Sequence, residues 1–235
     1  MAANAPFAGF SRDAVGFLAE LTVNNERSWF QPRKAEYERL LKEPLAALCE
    51  ALADRFKAAG LPFKADPVHS PFRIYRDVRF SADKSPYKTA ASASFPWIGD
   101  GGGVGAYFHL QPGEVFAGGG MWHPEPAQLA AWRHAVDVDL DGVRAALHEP
   151  GFAATFGEVE GGRLKRVPTG FSADHPGAEL LKLKDVTFGR RLSDDEVFSP
   201  ELPDTLTGIY AASMPVMELL ARLSPGETRA GWLRG

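Results

Sequence analysis

The chain has 235 residues, a net charge of −4 and a pI near 5.9, with 45% hydrophobic and 24% charged residues, the make-up of an ordinary globular protein. One cysteine, Cys49, excludes an internal disulfide framework and a thiolate zinc cage, and mild acidity leaves any nucleic-acid contact to a local basic patch. No apolar stretch reaches the roughly 18 residues of a membrane span, and residues 1–10 lack the basic-then-apolar order of a secretory signal; the expectations are no membrane association and a cytoplasmic address.

Ser11 can accept the free amides of a first helical turn, and Val15, Leu18 and Leu21 recur at helical spacing. A helix over about 11–22 is therefore predicted, with Asn24 and Asn25 as the turn after it. Pro32 opens a second helix, striped by Tyr37, Leu40 and Leu41. Pro44 should break or kink it before it resumes through Leu45, Leu48, Leu52 and Phe56 and closes at Gly60 and Pro62.

From residue 69 the period falls to two. Phe72–Tyr75, Ser92–Ile98, Val104–Leu110 and Glu114–Ala117 read as strands of an antiparallel meander, since their connections are too short for helical crossovers. Turns are expected at Gly99–Gly103 and Pro112–Gly113, and Gly118, Gly119 and Gly120 should close the meander at a bulged or tight end. Helical spacing returns over Pro126–Val136 and Leu140–Leu147, with short pieces near Phe152–Phe156 and Ala178–Leu183. Val186–Leu192 rejoins the sheet, and a last helix lies within Pro203–Leu223, bent at Pro215. Helices, then strands, then helices argue for a single α+β domain over 7–223: an antiparallel meander with helices from the N- and C-terminal thirds packed against it. Residues 1–6 and 224–235 are expected to be loosely ordered termini.

The densest chemistry lies between Pro71 and Lys88. Five cations, Arg73, Arg76, Arg79, Lys84 and Lys88, stand against Asp77 and Asp83, a local charge of +3 in an acidic chain. Arginine forks grip phosphate or carboxylate oxygens by paired bonds, so the cluster fits an anion receptor. An equally direct reading has Arg76 with Asp77, or Arg79 with Asp83, pinning the loop by structural ion pairs. Elsewhere, Trp122 beside His123 could floor a pocket next to the glycines, and the helix starting near Pro126 would point its positive end there. The basic stretch Arg163, Lys165 and Arg166 reads as a solvated hairpin, and Cys49 as a buried inert thiol. Gly101-x-Gly103-x-x-Ala106 precedes a strand-like run rather than a helix, and Ser81-x-x-Lys84 lies too close to Pro86 for a helix, so neither passes as a cofactor or nucleophile motif. The six histidines are scattered, with no His-x-x-x-His pair.

The run from Arg76 through Asp77, Val78, Arg79, Phe80, Ser81, Ala82, Asp83, Lys84, Ser85, Pro86 and Tyr87 to Lys88 resembles the signature of the family catalogued as domain of unknown function 2461. Asn24–Phe30, Gly118–Trp122 with Pro124, and Leu164–Phe171 fit the same pattern, over about residues 7–223. The resemblance implies a compact single domain and brings no catalytic role.

The residues themselves give the functional expectation. A small anionic ligand, phosphorylated or carboxylated, is held at the sheet end by Arg73, Arg76, Arg79, Lys84 and Lys88. Ser81 and Tyr87 orient it, Asp77 and Asp83 steady the arginine forks, and Trp122 lines the site. If a reaction follows, Asp77 is the candidate base, with its basicity lowered by the cations around it. No cofactor and no metal is called for, and the oligomeric state is open. The alternative is a non-enzymatic module whose basic loop contacts a protein or a nucleic acid, the latter disfavoured by the overall acidity.

Overall fold

A computed structural model describes residues 6–79 and 81–224. Helix α1 (Arg12–Val23) starts where Ser11 Oγ accepts the Ala14 N–H at 3.2 Å, and Asn24 ends it by donating its own N–H to Glu20. Then come α2 (Arg27–Phe30), a 3-10 turn (Gln31–Arg33) and α3 (Lys34–Tyr37), followed by α4 (Glu43–Ala59), which closes at Gly60 with φ 66°. Pro44 does not break this run. One π-helical turn, Glu38–Lys42, precedes it, and the proline sits in the first turn of α4, where its missing N–H does least harm.

Strands β1 (Ala91–Pro96), β2 (Val104–Gln111) and β3 (Glu114–Met121) form the meander. Helices α5 (Pro126–Val138), α6 (Leu140–Leu147), α7 (Pro150–Phe156) and α8 (Ala178–Leu181) lead to β4 (Val186–Arg191), and α9 (Asp194–Val197), α10 (Leu202–Ala212) and α11 (Met214–Arg222) complete the order. The sheet runs β1-β2-β3-β4, antiparallel throughout, so the chain is one α+β domain.

Three sequence expectations are corrected. Phe72–Tyr75 is not a strand, because single bridges, Pro71 to Ala93 and Tyr75 to Tyr87, are all that hold this segment in extended pairing. Strand β3 does not stop at Ala117 but runs through the glycines to Met121, paired on both sides. The last helix is two helices that part at Ser213, with Pro215 in the first turn of α11. The expected loose termini fall on residues outside those described, apart from Pro6 and Ser224. Ser224 is buried and its carbonyl accepts the Gly102 N–H at 3.1 Å.

The core forms on one face of the sheet. Phe10 stacks on Phe108 at 5.8 Å, Phe56 and Tyr210 meet Phe95 at 5.6 and 5.9 Å, and Phe152 and Phe156 meet Phe188 at 5.1 and 4.7 Å. Strand alternation then sends Ser92, Ser94, Tyr107, His109, Gln111, Phe116 and Arg191 to the opposite face. Among the described residues no helix is long and apolar enough to cross a membrane.

Gly118 and Gly120 allow β4 to lie close. A Cβ on Gly118 would overlap the Phe188 carbonyl oxygen, and one on Gly120, at φ 123°, the Val186 carbonyl oxygen. Gly208, inside α10, has open space around it. Gly118→Ala and Gly120→Ala should each cost about 1–3 kcal/mol or more from overpacking, with the larger loss at the positive-φ site. Gly208→Ala should stabilise by up to about 1 kcal/mol through helix propensity. Urea denaturation midpoints check all three, and equal midpoints for Gly118→Ala and the parent chain would contradict the packing.

Candidate functional site

The basic segment is an antiparallel loop closed at its neck. Arg76 N–H donates to Pro86 at 3.0 Å and Lys88 N–H to Ile74 at 2.7 Å, around the Tyr75–Tyr87 bridge. The neck is held from the helical side by Asn25, whose amide nitrogen donates to the Tyr87 carbonyl and whose amide oxygen accepts the Tyr87 N–H, both at 3.0 Å. A single carboxamide thus satisfies both backbone groups of one residue. Tyr87 continues inward: its ring is 1% exposed and stacks on Phe30 at 4.1 Å. Its hydroxyl, 3.4 Å from Gln31 Nε2, lies under the loop and not at its rim.

Most of the loop's charge is spent inside the loop. Arg79 holds Asp77 by Nη2 at 2.6 Å and Nε at 3.0 Å, Arg76 bonds Asp83, and Lys84 Nζ donates to the Val78 carbonyl at 2.9 Å. The pairing is Arg79 with Asp77 and Arg76 with Asp83, the reverse of the pairs read from the sequence. The side-chain bonds from Arg79, its backbone N–H and the charges of Arg79 and Arg73 bring the Asp77 carboxyl down to about 2, and Arg76 with Ser85 holds Asp83 below the usual carboxylate range. Asp77 is therefore a weak proton acceptor at neutral pH. Ser81 is half-buried in the same loop.

Arg73 and Lys88 stand at the neck. The Lys88 ammonium lies over the Phe72 ring, 4.9 Å from its centroid, and burial, with the nearby Arg73 charge, lowers its pKa. From Phe72 a row of rings crosses the sheet's second face: Tyr107 at 6.1 Å, then Phe116 at 5.8 Å from Tyr107, then His109 stacked on Phe116 at 5.0 Å. A polar line runs beneath it. The Tyr107 hydroxyl, whose pKa burial raises against the smaller lowering effect of the nearby Ser92 side chain, lies 3.1 Å from His109 Nδ1, and His109 Nε2 is 3.3 Å from Gln111 Oε1. These contacts are met together when Tyr107 donates to Nδ1 and Nε2–H donates to Gln111. Burial lowers the His109 pKa, so the ring is neutral at pH 7.

The structure brings Arg73, Arg76, Asp77, Arg79, Ser81, Asp83, Lys84, Tyr87 and Lys88 into one loop and its neck, but it separates Trp122 from them. Met121 pairs with Val104 at one end of β2, whereas Ala91, three residues after Lys88, pairs with Leu110 at the other. At about 3.3 Å per residue the two ends are roughly 20 Å apart. Trp122 is 53% exposed beside His123. The amino end of α5 is engaged locally, with Gln128 accepting the Glu125 N–H at 2.8 Å and donating to the Gly102 carbonyl. Sequence reading missed Tyr107, His109 and Gln111. Their period-two spacing in β2 was the available signal, since it places all three on one face.

The family model described as "Conserved hypothetical protein (DUF2461)" matches residues 13–219, so the chain belongs to that family. No curated protein and no solved structure matches it.

Asn25→Ala leaves the Tyr87 N–H and C=O without their partner and should cost about 1–3 kcal/mol, read as a lower urea midpoint. Arg79→Gln should leave the midpoint essentially unchanged, because exposed ion pairs contribute little. Asp77 is depressed in the folded state, so its contribution is present above the ordinary carboxylate pKa and is lost as pH falls through about 2. A carboxyl titration by NMR should place its midpoint below the ordinary carboxylate value in the parent and somewhat nearer to that value in Arg79→Gln.

Proposed function

We propose that this member of the DUF2461 family binds a small anionic ligand at the neck of the basic loop, with Lys88 and Arg73 as the contacting cations and the loop itself as a rigid ridge. What carries the reading is the placement of Lys88. A half-buried ammonium, already losing proton affinity to burial and to the Arg73 charge, gains most from an incoming anion, which offsets both. The Arg76 and Arg79 forks bond Asp83 and Asp77, and a ligand there would have to displace a carboxylate first. A phosphate or carboxylate suits the two cations, and no catalytic step is part of the reading. The proposal takes a small molecule as the partner and the cytoplasm as the working compartment.

Calorimetric titration of inorganic phosphate and of citrate tests this. Charge-assisted bonds are worth about 1.5–3 kcal/mol, so Lys88→Met, which keeps the aliphatic stem, should weaken binding by about tenfold or more, and Arg79→Gln should stay within about twofold. Loss of binding in Arg79→Gln with retention in Lys88→Met would move the site onto the loop arginines and refute the proposal.

A further inference from the structure

The helices cover one face of the sheet with their apolar side chains, whereas the second face carries aromatic rings of its own. Phe72, Tyr107, His109 and Phe116 are each only partly buried, and their ring contacts among the described residues are with one another. The row has a cation at each end: Lys88 over Phe72, and Arg191 directly across from Phe116 in the register. Beside the rings two cross-strand pairs, Gly105 with Gly120 and Gly118 with Gly189, add no side chains to this face.

A second observation at this place is independent of the rings. Ser94, the cross-strand partner of Tyr107 on the same face, is 3% exposed, and its hydroxyl has no hydrogen-bond partner among the described residues. A buried hydroxyl without a partner costs free energy that a hydrogen-bonding ligand atom would recover.

We propose that this face binds a flat aromatic ring bearing an anionic group, the ring lying against Tyr107 and Phe116, a polar atom on its edge reaching Ser94, and the anion directed to Lys88. The proposal rests on the anion site described above and adds the body of the ligand to it. Aromatic neighbours attract a further ring in offset-stacked or edge-to-face geometry, and a neutral His109 extends the platform without repelling the ring's cationic neighbours. The spacing from Lys88 through Phe72 to Tyr107 keeps ring and anion within one small molecule.

Titration with two matched pairs of probes separates this proposal from the anion reading beneath it: phenyl phosphate against cyclohexyl phosphate, and adenosine monophosphate against ribose 5-phosphate. The aromatic member of at least one pair should bind at least about tenfold more tightly, in keeping with ring stacking. Phe116→Leu, which keeps apolar volume but removes the ring, should abolish that preference while leaving ribose 5-phosphate affinity within about twofold. Tyr107→Phe, with the ring retained, should keep the preference and report that the fold survives changes on this face. Equal affinities within both pairs would overturn the ring proposal and leave the anion site standing; no binding by any of the four would overturn both. A short oligonucleotide binding far more tightly than the monophosphate, with affinity falling steeply in salt, would overturn the small-molecule reading in favour of a single strand. Dimerisation in sedimentation that Phe116→Leu removes would overturn it in favour of a second copy of the chain.

Discussion

The reciprocal bonding between the Asn25 amide and the Tyr87 backbone is the joint on which the candidate site depends. The N-terminal helices and the basic loop lie 62 residues apart in sequence at this contact, and one carboxamide supplies both the donor and the acceptor that join them. Because both bonds go to the same residue, they fix Tyr87 in orientation as well as position, and its ring goes down onto Phe30. Lys88 follows directly in the chain, with its N–H on Ile74, so its side chain leaves the neck toward Phe72. Asn25 thereby sets the place of the cation that follows Tyr87 in the chain.

The loop beyond that joint illustrates how little a count of arginines says about binding. Its forks close on carboxylates within the same loop, and such exposed pairs shape a surface more than they stabilise a fold. The proposed anion site lies instead at the neck, where the Lys88 charge is half-buried and electrostatic interactions are less screened. The glycines of β3 contribute from the other side. They let β4 approach where a side chain would collide with its carbonyls, and they add no side chains to the second face beside its row of rings.

The sequence was informative wherever a local rule had no competitor. Ser11 as a cap, the helical stripe of Leu48, Leu52 and Phe56, the Pro112–Gly113 turn and the buried Cys49 all follow from nearest-neighbour chemistry. Departures came where tertiary contact decided. Glycine ordinarily ends a strand, yet β3 continues through three of them because partners on both sides supply the hydrogen bonds. Tyr87 in a basic loop reads as a ligand-facing hydroxyl until Phe30, 57 positions earlier, proves to be its stacking partner. Trp122 was drawn into the site by its glycine neighbours, and only the strand register shows it at the opposite end of the sheet. The informative feature of His109 is its period-two spacing from Tyr107 and Gln111 along β2, which the pattern of the six histidines does not show.

The most direct measurement is a map of backbone amide shifts in isotope-labelled protein as phenyl phosphate is added. If the ligand lies at the neck and along the rings, the perturbed amides will be those of Phe72, Arg73 and Lys88 together with Tyr107, His109 and Phe116, and residues 77–84 will move little. Perturbations concentrated at Arg76, Arg79 and Lys84, with Tyr107 and Phe116 unmoved, would place the ligand on the loop and contradict the assignment of its arginines to structure.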